Sequence, residues 1–400
     1  MDAHRRQELI RNCKPPTVWR GEPHLGGWYG EEEIEVVVKT IRQSMDWTGD
    51  GFGFICAEIE GFEKAFANYS GTPDAVSINA AGSGLDMAVM CLDLQPGDEV
   101  IAPSVNFRAA PMSIIGQGGR FVPGEIDPRT FQLDPADVAK KISPRTRAIL
   151  PTHMNGMSAP IDDYLEIARK HPHPKYGPAK VIGDAARACG GGYKGRKIGA
   201  SEWLTVFSFH TMKNMTTLGE GGMITCHDPD IAKRLRALRQ FGGTDCWGSN
   251  YKMTKVQAAV GMVQLRKLDS MVDSRLRLAL RRNELLADVP ELTTPYIPAD
   301  VKHTFYLYTM LVPKAWAGKK RDALCAIMGE KYHVGCVVAN PPVHSTVPFI
   351  RQHVGAIDLP VSEEIGQRLF CATIHPCMTD EQNEYLCAAL IEAVAEVRKL

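Results

Sequence analysis

Residues Val206–Ile224 read VFSFHTMKNMTTLGEGGMI. A short apolar run opens the stretch, a Gly cluster closes it, and a second apolar run follows. Short apolar runs bounded by turn residues read as buried strands. Between them stands one lysine, Lys213, flanked by Ser208, His210, Thr211 and Asn214. Two readings of that lysine are open. One is a solvated loop charge. The other is an amine held in a pocket at the edge of a sheet and poised for Schiff-base chemistry.

The sequence upstream decides what kind of sheet this is. From Ala75 short apolar strands (AVSIN, the EVIA of PGDEVIAPS, RFVPGEI, TRAILPTH, AKVIGDAA) alternate with helical segments such as GSGLDMAVMCLDL and IDDYLEIARKH. That alternation predicts a doubly wound α/β core with a largely parallel sheet, running to about Ile224. Two helices precede it, EEEIEVVVKTIR and EIEGFEKAFANYSG, the second ending at Gly71. After it a long helical stretch begins near Thr254, expected to bend on its way out of the core. Beyond Pro290 the texture changes: TFYLYTMLV is strand-like, RDALCAIMGEKY is helical, and DEQNEYLCAALIEAVAEVRKL closes the chain as a helix. We expect a large α/β domain over 1–270 and a smaller C-terminal α+β domain over 271–400.

Three further sites gather around the lysine in this reading. In VIGDAARACGG, Asp184 stands just past a buried strand, where open α/β sheets place ligand contacts. It is either such a contact or a helix N-cap. In NAAGSGLDMAV, small residues including Gly82 and Ser83 open a helix directly after a strand. Bare N–H groups there form an anion site that a phosphate can approach. The stretch is neither a Walker A nor a full GxGxxG, so the fingerprint of an NTPase or dinucleotide fold is missing. In PSVNFRAAPM, Phe107 follows a strand end; it is a core residue, or it covers the face of a flat ring.

Composition narrows the rest. The chain has 400 residues, 44% hydrophobic and 23% charged, with Lys+Arg 46 against Asp+Glu 46. This is ordinary globular composition. A zero formal charge argues against bulk affinity for nucleic acid or an anionic membrane, though not against a local phosphate pocket. No apolar run is long enough to span a bilayer and no leader is visible, so a soluble, cytoplasmic protein is expected. The 11 cysteines include no CxxC pair and read as small buried hydrophobes. His171 and His173, in the proline-rich HPHPKYGP, read as a loop, and no metal is expected.

Taken together, SFHTMKN with GEGGMI, GDAARACGGGYKGRKIG and GSNYKMTKVQAAVGMVQLRKLD resemble the DegT/StrS-type pyridoxal-phosphate aminotransferases, with the fold-type I architecture. The resemblance spans nearly the whole chain, and it implies a cofactor, pyridoxal 5'-phosphate. It makes Lys213 the Schiff-base lysine and Asp184 the partner of the pyridine nitrogen. Phe107 becomes the aromatic that stacks on the ring, and Ser208, Gly82 and Ser83 the phosphate site. Asn250 becomes a residue reaching the phosphate of a neighbouring subunit, hence a homodimer with shared active sites. Arg187 departs from the family's usual Gln or His near the ring hydroxyl. A guanidinium there stabilises a phenolate, binds a substrate carboxylate or phosphate, or points away.

Lysine rather than histidine at 213 favours transamination over dehydration. The family implies an amino donor, L-glutamate or L-glutamine, and an acceptor keto group on a nucleotide-linked sugar or keto-cyclitol, in antibiotic or surface-sugar biosynthesis. Acceptor contacts are expected from WTGDGFGF, GGTDCWGSN and VANPPVHSTVPF. His303, Tyr306 and His344 stand as candidates near the site, with a structural role for each the competing reading. The alternatives are another pyridoxal-phosphate enzyme on the same scaffold (elimination, decarboxylation, oxidation or condensation) and a cofactor-binding regulator. The last ordinarily needs a DNA-binding segment, against which the neutral charge speaks.

Overall fold

A computed structural model describes residues 1–400. Seven strands form the main sheet: β1 (Asp74–Ile78), β2 (Glu99–Pro103), β3 (Arg120–Gly124), β4 (Thr146–Ile149), β5 (Lys180–Asp184), β6 (Leu204–Ser208) and β7 (Gly222–Cys226). Their spatial order is β1-β7-β6-β5-β4-β2-β3. Strand β7 runs antiparallel to both its neighbours, β1 and β6; every other pairing is parallel. The sheet is thus largely parallel with one reversed strand.

Period-2 alternation places neighbouring side chains of a strand on opposite faces. In β6, Val206 packs with Ile78, Leu85, Val100 and Ile182 on one face. The next residue, Phe207, packs with Phe62, Phe66 and Met271 on the other. Each such fully buried side chain contributes about 1.5–3 kcal/mol from area removed from water. Helices cover both faces, Ala81–Met90 with Pro229–Arg239 on the first and Ala57–Ser70 with Lys255–Leu286 on the second.

The predicted long helix is one continuous element of 32 residues, Lys255–Leu286, opened by a capping box between Thr254 and Gln257. It leads to a three-stranded antiparallel sheet built from β8 (Tyr308–Leu311), β9 (Cys336–Val337) and β10 (Leu369–Ala372), in the order β8-β10-β9. The Asp380–Val397 helix packs on this sheet through Tyr385, Leu386 and Leu390. No helix is long and apolar enough to cross a membrane.

The topology gathers one edge of the main sheet. Strands β1, β5 and β6 end there and the reversed β7 begins there, so the 209–221 loop has both its ends at that edge. Backbone bonds tie it shut: Phe209 N–H to Gly221 O at 2.8 Å, and Thr211 N–H to Gly219 O at 3.0 Å. Gly221 has φ +155°, and a Cβ there would overlap the Thr217 hydroxyl. Only glycine fits that return.

Candidate active site

Lys213 occupies the middle of this tied loop, its backbone N–H bonded to His210 O at 2.8 Å. Its amine points back over the sheet edge and donates to the Tyr306 hydroxyl at 3.1 Å. Burial, reinforced by the positive charge of Arg187, pulls its pKa down to about 7. An amine with that pKa is largely neutral just above pH 7, so it has the lone pair that a nucleophile or base needs.

Asp184 is the last residue of β5 and is buried. One carboxylate oxygen accepts the Ala186 N–H at 3.1 Å; the other has no protein donor. Burial raises its pKa, partly opposed by the Ala186 N–H and by Arg187, Lys213 and His153. A buried carboxylate with a free oxygen and a raised pKa fits a cationic or protonated nitrogen brought by a ligand. The helix N-cap reading is not what the structure shows, because no helix follows β5 directly. Behind Asp184, His153 Nδ1 accepts the Ala159 N–H at 3.1 Å, and Nε2 lies 3.2 Å from the buried Glu202.

The Ala81–Met90 helix starts at the same edge. Gly82 and Ser83 lie in its first turn, whose N–H groups have no intrahelical acceptor. The Ser83 hydroxyl donates to Asn79 at 2.7 Å, and a Cβ added at Gly82 would meet nothing within 4 Å. Ser208, buried at the end of β6, accepts the His210 N–H at 3.3 Å. Phe107 is not a core residue: it is 53% exposed, beside a strand end whose Asn106 bonds Thr152 at 2.8 Å. Asn250 is exposed in this chain, bridged by its backbone to Gln240.

Arg187 is buried, and no carboxylate pairs with it. Its guanidinium donates to Asn155 Oδ1 at 3.4 Å and weakly to Met154 Sδ at 3.8 Å. Asn155 (φ +57°) and Asn340 (φ +59°) both adopt the left-handed conformation, and the Asn340 amide donates to the same Asn155 oxygen at 3.1 Å. Two strained backbones therefore hold one carbonyl oxygen against an arginine.

Three residues named from sequence divide. Tyr306 lies in the site: its ring centroid is 4.4 Å from the Lys213 amine and 5.7 Å from the Arg187 guanidinium carbon. His303 is structural, stacked on Phe305 at 4.0 Å, its Nδ1 accepting the Phe305 N–H at 2.8 Å; burial lowers its pKa to about 3. His344 bonds Ser104 at 2.5 Å and lies 3.3 Å from Glu363, which accounts for its burial. Sequence reasoning missed Glu22 and Asn155, and reached Asn340 only as part of the VANPPVHSTVPF loop. Glu22 accepts the Tyr306 hydroxyl proton. It lies in a Pro- and Gly-rich segment, KPPTVWRGEPHLGGWYG, without periodicity to mark it.

This geometry has relatives. Residues 30–391 match the model of the DegT/DnrJ/EryC1/StrS aminotransferase family. The spore coat polysaccharide biosynthesis protein SpsC of Bacillus subtilis is 31% identical over 389 residues, covering 92% of this chain and 95% of SpsC. GDP-perosamine synthase of Caulobacter vibrioides is 35% identical over 343 residues, 82% of this chain and 88% of the synthase. Among solved structures, DesV of Streptomyces venezuelae superposes with a TM-score of 0.83 at 31% identity, covering 91% of this chain and 95% of DesV. With a family match over most of its length and relatives above 30% identity along nearly all of theirs, the chain belongs to the DegT/DnrJ/EryC1/StrS family and is an aminotransferase.

Proposed function

We propose that this chain uses pyridoxal 5'-phosphate to move an amino group from L-glutamate or L-glutamine to a keto group of a nucleotide-linked sugar or keto-cyclitol. The observation that carries the reading is a desolvated lysine amine with pKa about 7 sharing one sheet edge with a buried carboxylate, one of whose oxygens has no protein partner. The acceptor class is supported by relatives whose names are GDP-perosamine synthase and dTDP-3-amino-3,4,6-trideoxy-alpha-D-glucose transaminase.

The residues fit the cofactor. Asp184 offers its free oxygen to a ring nitrogen, the Gly82–Ser83 helix start and Ser208 offer donors to a phosphate, and Phe107 offers a flat face. When bound, the cofactor supplies an electron sink for the carbanion left by removal of the donor's alpha proton. Asp184 holds a proton on the ring nitrogen by its negative charge. Lys213, neutral near pH 7, would take the alpha proton and deliver it across the transferred nitrogen to the cofactor's former aldehyde carbon. Arg187, propped by Asn155, faces an anionic oxygen of the substrate. Asn250 serves the site of a second copy. Phe54 and Phe241, both exposed, flank the Lys252 ammonium two residues further on, an apolar surface that such a copy would cover. A division of the chain near residue 270 belongs to the same reading.

The test is a visible absorption spectrum of the purified protein with pyridoxal phosphate supplied, before and after L-glutamate or L-glutamine. A band that bleaches with the donor is expected. A band indifferent to both donors would move the reading to another donor or reaction, and no band would defeat it. A companion prediction concerns Arg187→Gln: the band remains, and KM rises about ten- to a hundredfold for whichever substrate brings the anion, the scale of one charge-assisted hydrogen bond. Unchanged KM for both donor and acceptor would remove Arg187 from the substrate site.

A further inference from the structure

A segment lying outside the family match, which begins at residue 30, supplies a carboxylate to the tyrosine that the lysine contacts. Residues 19–28 cross the lysine loop as a strap. Gly26 N–H bonds Thr211 O at 2.8 Å, the Thr211 hydroxyl bonds His24 O at 2.6 Å, and Gln264 Nε2 bonds Trp28 O at 2.8 Å. The approach is close: a Cβ on Gly26 would overlap the carbonyl oxygens of Met212 and Lys213. Arg275, fully buried in the Lys255–Leu286 helix, pins three elements at once. Its guanidinium donates to Gly26 O at 2.5 Å, Phe305 O at 3.2 Å and Ile374 O at 3.2 Å. One arginine therefore fixes the strap that carries Glu22 against the turn that carries Tyr306.

A phenol has one proton. In Tyr306 that proton goes to Glu22 Oε1. The phenol oxygen therefore meets Lys213 only as an acceptor, and the Lys213 amine donates to it at 3.1 Å. No other hydrogen bond restrains the amine. With one N–H directed at the phenol, the lone pair of the neutral amine is turned away from it and left for the reacting carbon. We propose that Glu22 is a positioning residue for Lys213: it holds the Tyr306 proton, so that the phenol orients the amine without quenching its lone pair. This rests on the aminotransferase reading of Lys213 given above.

Glu22→Gln separates this role from a merely structural one. The amide is isosteric and keeps the strap in place, but its NH2 group donates to the phenol oxygen and frees the phenol proton to turn onto the amine. Two readouts apply. One is the donor half-reaction of the holoenzyme with L-glutamate, followed by absorbance. The other is labelling of Lys213 by an amine-directed reagent across neutral pH in the full chain before cofactor is added, read by mass spectrometry. Glu22→Gln is expected to slow the half-reaction about tenfold or more at saturating donor, with KM unchanged. It should also move the labelling midpoint to lower pH, because a nearby negative charge no longer favours the ammonium. Tyr306→Phe should reproduce the slowing, and the double variant should be no slower than the worse single one. Wild-type labelling and rate in Glu22→Gln, or additive losses in the double variant, would overturn the proposal. If the wild-type protein shows no half-reaction with any donor, it is the aminotransfer reading that fails, and the labelling midpoints still decide whether Glu22 governs the lysine.

Discussion

Lys213→Ala is expected to abolish turnover, with a loss of at least about 10⁴-fold, the upper end of what a positioned general base supplies. The visible band of the loaded protein should vanish with it. Lys213 is the lysine bonded to Tyr306 in the site, and the guanidinium of Arg187 stays charged. The protein should still fold, since deleting a desolvated amine removes no ion pair. The same residue sets the pH dependence. Its pKa is lowered to about 7, so protonation below that value removes the lone pair. The donor half-reaction of the wild-type enzyme should therefore rise with pH through about 7 and level off above it. Stopped-flow absorbance across that range checks both statements. Exchange of amino groups by Lys213→Ala at the parental rate would sink the assignment.

Asp184→Asn should cost about 10²–10³-fold in the half-reaction, the scale of removing one preorganised electrostatic contact. Asparagine keeps an oxygen for the Ala186 N–H but brings no charge to hold a proton on the cofactor ring. The sign of the stability effect is opposite. Burial raises the Asp184 pKa, so the folded chain disfavours the carboxylate relative to the unfolded chain. A carboxyl with a raised folded pKa stabilises the fold below its unfolded pKa and loses that contribution as pH rises through the folded one. At neutral pH, before cofactor is added, the Asn variant should melt at or above the wild type. Full activity in Asp184→Asn would mean that another group partners the ring nitrogen. A marked fall in Tm would mean that the carboxylate has a structural partner after all.

What the sequence disclosed follows from where the chemistry sits. Asp184, Ser208 and the Gly82–Ser83 pair stand at ends of strands or starts of helices, Lys213 stands in the loop between two strands, and strand ends are marked by apolar runs that stop. The reversal of β7 left no such mark, because parallel and antiparallel strands buried on both faces share one pattern. Phe107 had two readings that composition cannot separate, and its exposure removes the core one. Glu22 was invisible for a different reason. Its partner Tyr306 is 284 residues away, and the strap is held by carbonyls that any sequence supplies. Asn155 was hidden, and Asn340 not singled out within its loop, because their signal is a positive φ, which asparagine tolerates but does not announce. For His303 the structural role set beside the site role is the one found. A histidine near a site turned out to be a ring that shapes the turn presenting Tyr306, through its stack on Phe305.

The reversed strand has a consequence for how the chain reaches its native state. Strand β1 is the first strand made, yet its one partner in the sheet is β7, and Asp74 pairs with Cys226. That contact closes a loop of roughly 150 residues, a long-range pairing of the kind that slows folding. Until Gly222–Cys226 leaves the ribosome, β1 and β6 both present open hydrogen-bonding edges lined by buried-type residues. During synthesis the half-made chain therefore depends on its last main-sheet strand to protect its first. The same insertion that seals those edges draws the lysine loop shut, so protection from aggregation and completion of the catalytic loop arrive in a single step.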